Sequence, residues 1–323
     1  MKRLLALVTA PAVLALSACG TTDAGSPDAS LAVTAAFYPL QWATEQVGGD
    51  LVEVRGLTKP GAEPHDLELT PKAVAELAAS DVVVYLAGFQ PAVDDAVRTQ
   101  APNTGYDVSS AADLTLAATD DGHDHANESA DEHAEHAEHA DETDDHAAAE
   151  GVDPHFWLDP VRLAAVVTAV GERFAEADPE HAEEYRTNAE ATVADLDALD
   201  ADYRAGLADC RSAELVTAHT AFGYLAQRYG LTQEGITGIS PDAEPDAATL
   251  RDLVERVRED DVSTIYSETL VSPALAETVA RETGARVAVL DPLEGLTDAS
   301  AGSDYLEVMR SNLTVLEQGQ GCS

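Results

Sequence analysis

Short β-branched apolar runs alternate with helix-like stretches twice over in this chain, and that rhythm admits few folds. In the first half, strand-like runs at 31–37, 51–57 and 82–86 interleave with helical stretches at 40–47, 71–79 and 91–98. The rhythm returns after residue 210, with strand-like runs at 215–218, 231–236, 262–267 and 286–290 and helical stretches at 221–229, 246–258, 273–282 and 303–317. Parallel strands need a connection that crosses the face of the sheet, and a helix supplies it, so each half predicts a parallel sheet covered by helices. Between the halves, 160–177 and 179–208 also read as helical. In the second of these, Tyr185, Ala189, Thr192, Leu196, Leu199, Tyr203 and Leu207 recur at intervals of three and four and form one mostly apolar stripe. A helix of that length spans roughly 40 Å and is stiff. The expected fold is therefore α/β, with two lobes, each a parallel sheet flanked by helices, joined by one long rigid backbone helix. A length of 323 residues, 45% of them hydrophobic, gives each lobe material for its own core.

The chain starts Met1-Lys2-Arg3, continues in an apolar run over 4–16 that is too short to span a bilayer, and reaches Leu16-Ser17-Ala18-Cys19-Gly20. This is the layout of an export signal, and Leu-Ser-Ala-Cys resembles a bacterial lipobox, in which Cys19 carries the lipid and becomes the mature N-terminus. The alternative is an ordinary signal peptide with an incidental cysteine. Residues 1–18 are then the signal peptide, 19–30 a flexible tether, 31–177 an N-terminal lobe, 178–209 the linker helix and 210–323 a C-terminal lobe. Cys210 and Cys322 remain as an even pair in an exported, oxidising setting, where a disulfide is expected. A thiolate metal pair is the weaker alternative, because the two lie far apart without Cys-x-x-Cys spacing.

A net charge of -42 excludes the basic stripe that phosphate binding needs, so nucleic acid is not an expected partner. The most biased stretch is 120–150, which carries His123, His125, His133, His136, His139 and His146, thirteen acids and no Lys or Arg. Too little apolar surface is available there to offset ordering entropy, which predicts a disordered loop.

Four histidines lie outside that stretch. His65, His155 and His219 sit just past or between strands among turn-forming residues, where ligands gather in open parallel sheets, whereas His181 follows Pro179 at a helix start and reads as solvated. Three imidazoles converging on a divalent metal call for a carboxylate. Asp291, directly after the strand-like run that ends at Leu290, is the best placed; Glu268, Glu63 and water are the other candidates for the fourth position.

At four places the chain resembles the cluster A-I substrate-binding proteins of zinc and manganese ABC transporters, the ZnuA-like family. These are Gly61-Ala62-Glu63-Pro64-His65-Asp66, Asp153-Pro154-His155-Phe156-Trp157-Leu158-Asp159-Pro160, Ala218-His219-Thr220-Ala221-Phe222-Gly223-Tyr224-Leu225 and Leu290-Asp291-Pro292-Leu293. The resemblance covers essentially the whole mature chain. It implies ligands His65 and His155 from one lobe and His219 and Asp291 from the other, Zn2+ held between lobes that move little, and a membrane permease as partner to a lipid-anchored monomer. Three imidazoles and a carboxylate suit zinc, and family members that handle manganese tend to offer glutamate where His219 stands. The His-rich loop looks like the insert of the zinc-specific branch, which implies auxiliary metal collection.

Competing expectations are manganese or iron uptake by the same fold, and a surface adhesin lipoprotein that uses the metal as a staple. Catalysis is not expected. No His-Glu-x-x-His, nucleophile-elbow or glycine-rich phosphate motif occurs, although Glu268 or Glu63 would be the base if one were needed.

Overall fold

A computed structural model describes residues 30–118 and 151–323, and residues 31–323 form one compact unit. The expected signal peptide, Cys19 and the six histidines of 120–150 lie outside the described residues. In the N-terminal lobe the order is β1 (Leu31–Ala35), α1 (Tyr38–Gly48), β2 (Val52–Gly56), α2 (Pro71–Ala78), β3 (Val82–Tyr85), α3 (Pro91–Gln100), β4 (Gly105–Asp107) and α4 (Ser109–Ala112). The helices α5 (Pro160–Ala177) and α6 (Ala182–Gly206) follow. The C-terminal lobe comprises β5 (Glu214–Thr217), α7 (Gly223–Tyr229), β6 (Thr232–Gly235), α8 (Ala247–Glu259), β7 (Thr264–Ser267), α9 (Ala274–Thr283), β8 (Arg286–Val289) and α10 (Tyr305–Gln320).

Each lobe holds a four-stranded parallel sheet, ordered β2-β1-β3-β4 in one and β6-β5-β7-β8 in the other. The two orders are the same permutation, so in both lobes the first strand sits inside the sheet and the chain crosses over it. The carboxyl ends of such strands leave a crevice where the order reverses, and the loops that leave these ends carry the site.

Local chemistry accounts for the element boundaries. Thr70, Asp159, Asp246 and Asp304 each cap a helix by accepting backbone N–H bonds through the side chain, and Pro follows at the first helical position in α2 and α5. The apolar stripe expected for the long helix is the buried face of α6: Tyr185, Ala189, Thr192, Leu196, Leu199 and Tyr203 are all buried. At 25 residues α6 is about 37 Å long. It packs against α5 and α1 on one side and α10 of the other lobe, where the Tyr203 hydroxyl donates to the Met309 carbonyl at 2.7 Å.

One apolar core runs through both lobes, from Val33, Leu40 and Val84 through Trp157 and Leu199 to Leu290, Tyr305 and Leu316. Trp157 joins them directly, donating from Nε1 to the Pro292 carbonyl at 2.8 Å while its own carbonyl accepts from the Tyr305 hydroxyl at 2.6 Å. Cys210 and Cys322 are bonded as expected, closing the end of α10 onto the start of the C-terminal lobe. Two elements were not foreseen: β4, three half-buried residues without an apolar run, and the one-turn α4.

Candidate metal centre

His65, His155 and His219 converge, and the fourth group is Glu294: one ligand atom from each lies within 4.8 Å of the others. Glu294 Oε1 is 3.1 Å from His65 Nε2, 3.2 Å from His155 Nε2 and 3.3 Å from His219 Nε2, and the Nε2 atoms of His155 and His219 are 3.4 Å apart. A tetrahedral zinc with ligands at about 2.0–2.1 Å has edges of about 3.3–3.4 Å. Four of the six edges thus already stand near the spacing of one zinc coordination shell, and the two between His65 and the other imidazoles lie within 4.8 Å.

The elements place each group. His65 lies in the loop after β2, where Glu63 accepts the backbone N–H of His65 at 3.0 Å and of Asp66 at 3.3 Å. Gln90 donates to the Pro64 carbonyl at 3.0 Å and to the Thr58 hydroxyl, pinning this loop to the sheet. His219 follows β5, and His155 opens the single helical turn Phe156–Leu158 ahead of α5. Glu294 follows β8 in the turn Asp291-Pro292-Leu293-Glu294.

Both buried histidines are oriented from behind by carboxylates. Asp153 Oδ1 accepts from His155 N at 2.9 Å and lies 2.7 Å from its Nδ1, and Glu268 Oε1 accepts from His219 N at 3.0 Å and lies 2.7 Å from its Nδ1. An Nδ1–H donated to a carboxylate leaves the lone pair on Nε2, which faces the centre. Three imidazole nitrogens and a carboxylate therefore aim at one point, an arrangement that needs a cation or protons. Glu294 Oε2 is buried with no hydrogen-bond partner, so its second oxygen is also free to ligate.

The electrostatics agree. Burial would lower the pKa of His219, but Glu268 and Glu294 raise it well above the ordinary histidine value, and Asp153 and Glu294 likewise raise His155 against burial. Glu294 is held well below the usual carboxylate range by the histidines although burial pushes the other way.

Asp291 does not face the histidines. Its Oδ1 accepts from Leu293 N at 2.9 Å and its Oδ2 from the Ser300 hydroxyl at 2.9 Å, while Asn312 bridges its backbone. Burial raises its pKa. Asp291 is spent on the turn, which carries Leu293 at φ 58° and swings the next residue, Glu294, into the site. Glu268 and Glu63, the other carboxylate candidates, hold His219 and the His65 loop. The segment 286–296 carries two acids, and the one that ligates is Glu294, three residues beyond the acid at the strand end. His181 is half-buried rather than fully solvated, with its Nδ1 2.6 Å from Asp178 Oδ2.

The zinc-uptake complex component A family, ZnuA, matches residues 33–319. Zinc-binding protein AdcA of Streptococcus pyogenes is 38% identical over 287 residues, 88% of this chain and 55% of that protein, so the chain spans about half the length of such relatives. The high-affinity zinc uptake system protein ZnuA of Bacillus subtilis is 36% identical over 96% of this chain and 95% of its own. Among solved structures, the laminin-binding protein Lmb of Streptococcus agalactiae, described as bifunctional with adhesin and metal transporting activity, superposes with a TM-score of 0.73 at 31% identity, covering 90% of this chain and all of that one. A match that runs from β1 to the end of α10 takes in both sheets and all four converging groups, and on it the chain belongs to the ZnuA family.

Proposed function

We propose that this chain captures Zn2+ between its lobes through His65, His155, His219 and Glu294 and delivers it to the membrane permease of an ABC transporter, acting as a monomer held by lipid on Cys19 at the extracytoplasmic face of the cell membrane. The observation that carries the reading is that the Nε2 atoms of all three histidines stand 3.1–3.3 Å from one oxygen of Glu294. Three neutral nitrogens and one carboxylate suit zinc better than the oxygen-rich shells that manganese prefers. The names of the relatives, zinc-binding and zinc-uptake proteins, support the same cargo. The six histidines of 120–150 are proposed as auxiliary collectors that feed this site.

The reading is of capture, not catalysis. The carboxylates nearest to a base's position are engaged elsewhere, Glu63 on the backbone of His65 and Asp66 and Glu268 on the ring and backbone of His219. Adhesion is a second reading, favoured by the likeness to Lmb.

The test is metal content and competitive zinc affinity of the purified chain with and without His155→Ala. One tightly held zinc per chain, lost in the variant, is the expected result; tight binding that survives the substitution refutes the site. Loss of growth under zinc limitation on deleting the gene, restored by the wild type and not by His155→Ala, separates uptake from adhesion.

A further inference from the structure

Of the four converging groups, three are closed to solvent: the His155 and His219 side chains are 0% exposed and Glu294 is 1%, while His65 is 10% exposed. Behind His155 stands Trp157, with ring centroids 5.1 Å apart, and behind His219 stands Glu268. An ion therefore reaches the centre past His65. On the solvent side of His65 lies a cavity of about 280 Å³, walled by the 86–89 turn after β3 and by Pro154 from one lobe and by Ile239 and Ser240 from the other. None of the other three ligating groups lines it.

We propose that this cavity is the passage by which zinc enters and leaves, with His65 as the first ligand met and the last released. The inference rests on the zinc-capture reading above. Six waters at about 30 Å³ each occupy about 180 Å³, so the cavity takes a hydrated divalent cation whole and the ion exchanges its waters for ligands one at a time. The walls suit transit: among the described residues no acid or base other than His65 itself lines the cavity, so no described side chain along it traps the cation before it reaches the imidazole. The Gly88 turn, at φ 82°, keeps the backbone close to the opening without a side chain across it.

A rival approach lies on the surface beside His65, where Glu63, Asp66 and Asp242 bring carboxylate oxygens within 4.8 Å of one another from both lobes. The two are separable by kinetics, because an obstruction in a passage slows entry and exit together and leaves the equilibrium alone. Zinc association and dissociation are measured by stopped-flow competition with a chromophoric chelator for the full chain and for Ser240→Trp, Ile239→Ala and Asp242→Asn. Narrowing the passage with Ser240→Trp should slow both rates about tenfold with the dissociation constant within about twofold of wild type. Ile239→Ala, which widens it, should speed both, and Asp242→Asn should change neither by more than about twofold. Wild-type rates in both cavity variants, or slowing in Asp242→Asn alone, overturn the passage while zinc capture stands. Absence of zinc binding by the unsubstituted chain overturns the capture reading itself.

Discussion

The His219 ring lies between two carboxylates, with Glu268 at Nδ1 and Glu294 at Nε2, and the balance of charge around it sets how the site responds to pH. Because those acids outweigh burial and raise His219 well above the usual histidine value, and Asp153 and Glu294 do the same for His155, the metal-free imidazoles keep protons where the cation would sit. Zinc must displace them, so affinity rises with pH; with the imidazole pKa values raised, the rise continues past about 6.5, the ordinary value. Affinities measured across the neutral range check this, and a plateau already established at about 6.5 contradicts it. The orienting carboxylates make a second prediction: Asp153→Asn or Glu268→Gln keeps shape while weakening the hold on the tautomer, and each should cost about 10–100-fold in zinc affinity. A third concerns the turn after β8. Glu294→Gln removes a ligating charge and should cost more than about 100-fold, beyond the usual range for an orienting residue. Asp291→Ala only loosens the turn and should stay within that range; the reverse order would return Asp291 to the metal. The three histidines were legible because each stands among turn-forming residues outside the regular elements, His65 and His219 in loops that follow strands and His155 just ahead of a helical turn. Glu294 was not, because its direction depends on a left-handed residue, Leu293, and no periodicity reports one.

At the scale of elements, the alternation of strands and helices was legible because parallel strands buried on both faces leave continuous apolar runs, as Val82–Tyr85 does, and because caps and prolines mark where helices start. The attachment of α7 was not, since beside the buried Leu225 and Ala226 and the Arg228–Asp159 pair it uses the Tyr224 hydroxyl, whose partners lie far off in sequence. Tyr224 Oη accepts from Thr115 N at 3.1 Å and Leu116 N at 3.3 Å, and donates to the Asp153 carbonyl at 3.0 Å. Arg162 sits over its ring at 4.5 Å. The same Asp153 holds His155 through its carboxylate, so a helix of the C-terminal lobe steadies a ligand of the other lobe. Tyr224→Phe leaves the ring in place and strips two buried-side N–H groups and a carbonyl of their partner. A stability loss of about 1–3 kcal/mol in denaturant titration is expected, together with weaker zinc binding; unchanged stability and affinity would show that this hydroxyl does not steady Asp153.

The whole molecule is stiffened by sharing rather than by the linker alone. Trp157 of one lobe donates its indole N–H to Pro292 of the other, and the carbonyl that accepts it belongs to the turn that aims Glu294, so the core contact and the ligand move as a piece. With one apolar cluster running from β1 through α6 to α10, the lobes have no plane along which to part without exposing Leu199, Leu290 and Tyr305. The disulfide stabilises the C-terminal lobe itself by closing a separation of 112 residues, worth on the order of 4–5 kcal/mol in the chain-entropy account. Metal linkage can show whether the lobes form one cooperative unit. Zinc bound only by the folded state stabilises it by about 4 kcal/mol at a thousand times the dissociation constant. If the lobes share one core, calorimetry should give a single unfolding transition that zinc raises as a whole. If they are independent, zinc, which draws ligands from both, should merge or shift two separate transitions, and the metal-free chain should show both. A single metal-free transition is therefore the expected result, and two would mean that the contacts at Trp157 and along α6 are too weak to couple the lobes.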